Sequence, residues 1–241
     1  MKRSNKIILA AMVISISVGC VSCLKSVFTI RGNGDLVTFE CTLSQFEKIS
    51  SGGVADIRFH ASDEYNAVVT IDVNILEYVD IYTNNNVLYI RTERGQSISP
   101  SKFLVDVYCP ILSGVTMSGS GSFTAIDQIT AANFETVISG SGKVEGTVEC
   151  AHLSAKISGS GKITVDGNSK DANIVISGSG NFNGSDYMIK NATVNISGSG
   201  NANIFVTDYL KANISGSGRI IYRGNPVIDS RISGSGRIRK M

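Results

Sequence analysis

Tryptophan is absent from this chain, and histidine occurs twice, at His60 and His152. A metal site or proton shuttle has little to draw on. Each histidine stands alone in a strand-like or loop segment, where a surface or internally bonded imidazole is the simpler reading. Cysteine is sparse as well. Beyond Cys20 and Cys23 lie Cys41, Cys109 and Cys150, with no repeated Cys-x-x-Cys spacing that would read as zinc. Three cysteines cannot all pair internally; one disulfide is open to an exported protein, and spacing does not choose the pair. Cys41 and Cys109 fall in alternating apolar segments, as small buried side chains do. An excess of either charge is also lacking. The 22 Lys+Arg face 20 Asp+Glu, and setting aside Lys2, Arg3 and Lys6 leaves 19 against 20. Bulk charge therefore argues against a nucleic-acid partner.

What the chain has is a repeat. Ser-Gly-Ser-Gly begins at Ser118, Ser139, Ser158, Ser177, Ser197, Ser215 and Ser233, at spacings of 21, 19, 19, 20, 18 and 18 residues. That period is too short for a domain and suits one coil of a solenoid. An apolar residue precedes each copy: Met117, Ile138, Ile157, Ile176, Ile196, Ile214 and Ile232. Another stands two places after it: Phe123, Val144, Ile163, Phe182, Ala202, Ile220 and Ile238. The residue between is polar or basic. This is period-two alternation on both sides of a glycine corner, hence strand, corner, strand. Two glycines per repeat would cost a helix about 1 kcal/mol each. The predicted fold is all-β, a parallel β-helix of ~19-residue coils with Ser-Gly-Ser-Gly corners. An antiparallel sandwich is the alternative, but it would not place one identical corner in every coil. Six steps at ~4.8 Å give a rod of roughly 29 Å, with the apolar positions stacked as internal ladders.

Residues 24–112 are predicted as an irregular, strand-rich N-terminal part that caps the solenoid of 113–241. Strand-like runs cover Val54–His60, Ala67–Val73, Tyr78–Thr83, Val87–Glu93 and Phe103–Cys109. Asn84-Asn85-Asn86 reads as a turn, because Asn tolerates left-handed backbone. Gly95–Ser101 reads as a loop, and Phe28–Gly34 as a degenerate first coil with Gly-Asn-Gly at its corner. At the other end the chain stops five residues after the last motif, with Arg237, Arg239 and Lys240 blunting the edge. An open end of this kind is also a candidate homodimer contact.

Residues 1–19 read as an export signal. Lys2, Arg3 and Lys6 precede an apolar run, Ile7 to Val18, that is short of the ~20 residues a membrane span needs. A retained anchor is the alternative. Ser17-Val18-Gly19-Cys20 resembles a bacterial lipobox, making Cys20 the expected lipidated residue and Cys23 the alternative. Ser17 departs from the aliphatic residue usual in its slot.

Catalytic motifs fail on spacing. Gly140-Ser-Gly-Lys143 and Gly159-Ser-Gly-Lys162 lack the earlier glycine, the following Ser/Thr and the helix of a phosphate loop. Serines repeated seven times without a paired His and Asp are structural. Asp166, Asp171, Asp186, Asp208 and Asp229 sit at varying offsets from the motif, and Asp63-Glu64 and Asp72 are isolated, so no carboxylate pair is expected. No catalytic residue, metal or cofactor is assigned. One row stands out: Lys143, Lys162, Arg219 and Arg237 follow their motifs directly, with Asn181 and Asn201 between. Stacked coils would align them into a stripe able to bind an anionic glycan. A solvated edge that keeps the sheet soluble is the plainer alternative.

Together these features resemble the DUF2807 family, known as the putative auto-transporter adhesin, head GIN domain. The likeness rests on Phe46-Glu-Lys-Ile49, Val87-Leu-Tyr-Ile90, Pro110-Ile-Leu-Ser-Gly-Val-Thr-Met-Ser-Gly-Ser-Gly121 and the array that follows, covering about 28–238. The resemblance implies an exported β-helical envelope protein, and its name implies adhesion. A true autotransporter carries a C-terminal translocator barrel, which the five residues after the last motif cannot form, so display by another route such as a lipid anchor is the expectation. The expectation is a non-enzymatic envelope or cell-surface protein, attached to the outer membrane through an N-terminal lipid. It would bind a glycan or a surface protein. A ligand-free structural protein and a carbohydrate-active enzyme are the alternatives.

Overall fold

The computed structural model describes residues 29–241. The signal segment and both candidate lipidation sites, Cys20 and Cys23, lie outside the described residues. In the N-terminal part the strands are β1 (Thr29–Arg31), β2 (Leu36–Thr42), β3 (Lys48–Gly52), β4 (Asp56–Ala61), β5 (Asn66–Asp72), β6 (Val79–Asn84), β7 (Val87–Thr92), β8 (Ser97–Ser99) and β9 (Phe103–Cys109). The repeats supply β10 (Gly114–Met117), β11 (Ser122–Ala125), β12 (Ile129–Gly140), β13 (Lys143–Gly159), β14 (Lys162–Gly178) and β15 (Asn181–Gly198). They end with β16 (Asn201–Gly216), β17 (Arg219–Arg223), β18 (Val227–Gly234) and β19 (Arg237–Lys240).

The repeats form a parallel β-solenoid with the motifs in register. Ser139 lies opposite Ser158, then Ser177, Ser197, Ser215 and Ser233 in turn. The residue before the motif is buried from Met117 through Ile214, and the residue two places after it from Phe123 through Ile220. Each such isoleucine contributes about 1.5–3 kcal/mol relative to an exposed one. The backbone ladder does not break at the corner. Ser179 N donates to Gly159 O at 2.9 Å and Asn181 N to Gly161 O at 2.9 Å, and the other coils repeat the pair.

The two glycines of a corner are needed for different reasons. Gly178 has φ +117°, and a Cβ there would stand 2.7 Å from the carbonyl oxygen of Gly159. Gly161 is buried, and a Cβ there would stand 2.5 Å from Cγ2 of Ile138. The serines between them face solvent. A second bend falls at Ala151, Lys170 and Lys190, where strict alternation inverts. Ala151 and Lys170 fall out of the pairing register between β13 and β14, as do Lys170 and Lys190 between β14 and β15.

The sheet continues across residue 112. β3 pairs in parallel with β10 on one side and β7 on the other, while β4 pairs with β11 and β9. The N-terminal part therefore contributes two further solenoid levels before it caps anything. Ile49, Ile57, Phe59, Leu88, Ile90, Val105 and Val107 extend the internal ladders through them. The degenerate corner is Gly52-Gly53-Val54-Ala55, one level below Ser118–Gly121, and the Gly53 carbonyl accepts Ser120 N at 3.0 Å, while buried Ser51 takes the ladder position of Met117. Gly32–Gly34 is not a coil corner, contrary to expectation. β1 instead pairs with β8 in a separate two-stranded sheet, which also puts a strand inside the predicted 95–101 loop.

The cap is a change of strand direction. β6 runs antiparallel to β7, and β5 antiparallel to β9 with β2 beyond it. Asn85 and Asn86, at φ 49° and 60°, make the two-residue turn between β6 and β7. Asp72 pins this end. Fully buried, it accepts from Gly34 N (2.8 Å), Ser101 N (2.7 Å), Ser101 Oγ (2.6 Å) and Lys102 N (3.3 Å).

Candidate functional site

Stacking brings the predicted stripe together. Ser122, Lys143, Lys162, Asn181, Asn201, Arg219 and Arg237 are successive register partners. The four cations are exposed, and among the described residues none has an acidic partner within salt-bridge distance. The middle of the row is not basic. Asn201 Nδ2 donates to Asn181 Oδ1 at 3.0 Å, an amide pair that separates two cationic ends. The row lies beside the corner; its Ser122 end edges a small hollow lined by Asp56, Arg58 and Lys102, and its four cations line none of the main hollows.

A broad concavity lies elsewhere, along the second bend. It is an open groove of about 950 Å³ running across β12 to β16. Its axis is one outward column, Asn133, His152, Asp171, Asn191 and Tyr209, one residue per coil and each the register partner of the next. Next to that column the inward ladder shrinks from Phe134 and Leu153 to Ala172 and Ala192, which leaves the floor shallow. The column is internally bonded. His152 Nδ1 lies 3.1 Å from Asp171 Oδ2, and Asn191 Nδ2 donates to Asp171 Oδ1 at 3.0 Å. Tyr209 is 39% exposed at one end.

At the other end Glu135 joins Lys156 at 2.9 Å and Lys48 at 4.0 Å. The hydrogen bond from Lys156 leads in holding the Glu135 carboxyl below its ordinary range, and the charges of Lys156 and Lys48 add to it against the opposing effect of burial. Lys48 and Glu135 also line a smaller hollow that reaches Tyr89. Tyr89 stacks on Tyr82 with centroids 5.2 Å apart, and the Arg91 guanidinium sits 4.2 Å from the Tyr89 ring.

Neither histidine is alone, as its sequence neighbourhood implies. His60 Nε2 is 3.0 Å from Asp106 Oδ1, and its ring stacks on Tyr108 at 4.8 Å. Both His–Asp contacts are made between coils, so residues 19 and 46 apart meet. The register of the repeat could have placed His152 beside Asp171, since each lies six residues before its motif. Nothing local in the sequence points to His60 and Asp106. Among the described residues no three His, Cys, Asp or Glu side chains converge to hold a metal ion. Cys41, Cys109 and Cys150 are all free thiols. Burial pushes the Cys109 thiol up to about 12, and raises Cys41 and Cys150 from their ordinary value. Thr136 carries a buried hydroxyl with no partner inside the ladder of Val115 and Ala155.

Comparison with known proteins agrees with this architecture. A family model described as "Putative auto-transporter adhesin, head GIN domain" matches residues 45–226. A solved structure from Parabacteroides distasonis, described as a "Putative lipid binding protein", is 30% identical, with a TM-score of 0.76 over 88% of this chain and 99% of that one. A "putative adhesin" from Parabacteroides merdae is 26% identical, with a TM-score of 0.69 over 88% of this chain and 99% of that one. A "putative adhesin" from Bacteroides fragilis shares the fold at 22% identity, with a TM-score of 0.82 over 88% of this chain and all of that one. No curated protein matches. The β-solenoid, the motif array and the match over most of its length place this chain in the DUF2807 family.

Proposed function

We propose that this is an exported, non-enzymatic surface protein that adheres to an extended ligand laid along its rod. One observation carries the reading: the solenoid presents the same outward position once per coil, in register, beside an open groove. A repeated surface of this kind recognises a repeating or extended partner better than a small molecule, which favours an enclosed pocket. The adhesin family and the adhesin-named relatives support the same reading. An enzyme of this fold would be expected to converge carboxylates in its cleft. Here the groove's central carboxylate, Asp171, is taken up by His152 and Asn191.

Cys20, with Cys23 as the alternative, is the proposed lipid attachment point on the outer membrane. Mass spectrometry of the membrane fraction is expected to find the acyl mass lost in Cys20→Ala; loss only in Cys23→Ala would move the site, and loss in neither would end the lipid-anchor proposal. The described core and strand pairings lie within 29–241, so protein lacking residues 1–23 retains every one of those strands. That protein, arrayed against bacterial and host glycans and surface proteins, is expected to bind at least one class. A variant with Lys143, Lys162, Arg219 and Arg237 changed to Ser tests the stripe as a polyanion site, where salt-sensitive binding would be lost. Failure to bind any member of the array would contradict adhesion and favour a purely structural role.

A further inference from the structure

We infer that the ligand track is the His152 groove, not the basic stripe, and that it takes a neutral or amino-sugar linear glycan lying along the rod axis. The inference rests on the adhesion reading and names its site and ligand class.

Three observations lead there. The first is chemistry at fixed intervals. Asn133, His152, Asp171 and Asn191 offer amide, imidazole and carboxylate groups at successive ~4.8 Å steps, with the hydroxyls of Ser154 and Thr193 beside them. A chain of sugar rings carries donors and acceptors along its whole length and can meet such a row. A lipid tail cannot, and it would also need an enclosed apolar slot. The second is order. Asp171 accepts from Asn191 Nδ2 at 3.0 Å and has His152 Nδ1 3.1 Å away, so the middle of the column is held before a ligand arrives and less side-chain freedom is lost there on binding. Tyr209, half-exposed at the end of the column, offers an apolar ring face with a polar tip on which a sugar can pack.

The third observation is charge. Glu47, Glu135 and Asp171 line the groove with Lys48; Lys156 pairs with Glu135 at its edge and His152 with Asp171, which leaves Glu47 without an ion-pair partner among the described residues. The remaining balance is mildly acidic, which disfavours uronate or sulfated chains and suits neutral or protonated amino sugars. The stripe has the opposite sign, and its four cations lie outside this groove. The hollow at Tyr89 shares Lys48 and Glu135 with the main groove, so the track continues toward a second aromatic platform.

Calorimetry with the protein lacking residues 1–23 tests this. The probes are chitohexaose (neutral), a chitosan hexamer (cationic) and heparin (anionic). The expected result is binding of the first two and not of heparin. Tyr209→Ala and Asn191→Ala should each weaken chitohexaose by about five- to tenfold, while the four-Ser stripe variant binds as the parent does. Circular dichroism and melting of each variant separate loss of binding from loss of fold. Three outcomes would overturn the inference: heparin as the only ligand, binding unchanged in both groove variants, or binding lost only in the stripe variant. If no oligosaccharide binds while the protein still binds other members of the array, the groove inference fails and adhesion stands. If nothing on the array binds either, adhesion fails with it.

Discussion

At the scale of single residues, three positions carry opposite expectations. Gly178→Ala puts a Cβ against the Gly159 carbonyl at positive φ, and thermal melting should show a loss of about 1–3 kcal/mol. Thr136→Val removes a buried hydroxyl that has no partner and keeps the shape. Denaturant titration should show stability unchanged or raised by up to about 1 kcal/mol; a loss above that would mean the hydroxyl is bonded. Asp72 gives a pH effect whose direction is fixed. Its carboxyl is held at about 2, first by the Ser101 hydroxyl and then by backbone N–H groups that outweigh burial. Its value in the unfolded chain is near 3.9. The carboxylate therefore stabilises the cap fully above about pH 4, and that contribution is lost as the pH falls through about 2. Amide exchange at Gly34, Ser101 and Lys102 should quicken over that window while β13 to β16 stay protected, and Asp72→Asn should flatten the dependence. Cysteine reactivity follows burial: native protein should leave Cys109 unmodified by iodoacetamide at pH 8, whereas Cys41, only half-buried, reacts sooner.

At the scale of strands and corners, the repeats were legible because period-two alternation and a glycine pair recur with the same phase. Each aligned residue then inherits its neighbour's environment, which is why burial of Ile138 through Ile214 and the row from Lys143 to Arg237 follow from spacing alone. The N-terminal coils were not legible in the same way. Their corner is Gly52-Gly53-Val54-Ala55 rather than Ser-Gly-Ser-Gly, and the outer coil is interrupted by the 93–102 segment. Their order is also non-sequential, with β3 lying between β7 and β10 although β7 follows it in the chain. Gly32-Asn33-Gly34 looked like a corner for the same reason that it is a turn, but its partner is Asp72. The groove lay hidden because its residues share no residue type; their common place six residues before each motif, and the falling size of Phe134, Leu153, Ala172 and Ala192, are the signals that point to it. Position in the stack should also set the cost of a ladder change. Ile176→Ala, fully buried, should cost about 2–5 kcal/mol, and Ile232→Ala, 45% exposed, well under half of that in the same titration.

The whole molecule is a rod whose sheet runs unbroken from the antiparallel cap to β18 and β19. Contacts within the repeats join neighbouring coils, so stability is a sum of nearest-neighbour terms, and the groove across β12 to β16 sits where each coil is covered on both sides. A binding surface placed there is held rigid, which suits a ligand that touches several coils at once. The stripe and the groove divide the surface by charge, so ligand sign separates them. Amide chemical-shift mapping of the protein with chitohexaose locates the ligand track. Shifts are expected at Asn133, His152, Asp171, Asn191 and Tyr209 with the row from Lys143 to Arg237 silent. Shifts confined to that row, or none at saturating sugar, would contradict the groove assignment.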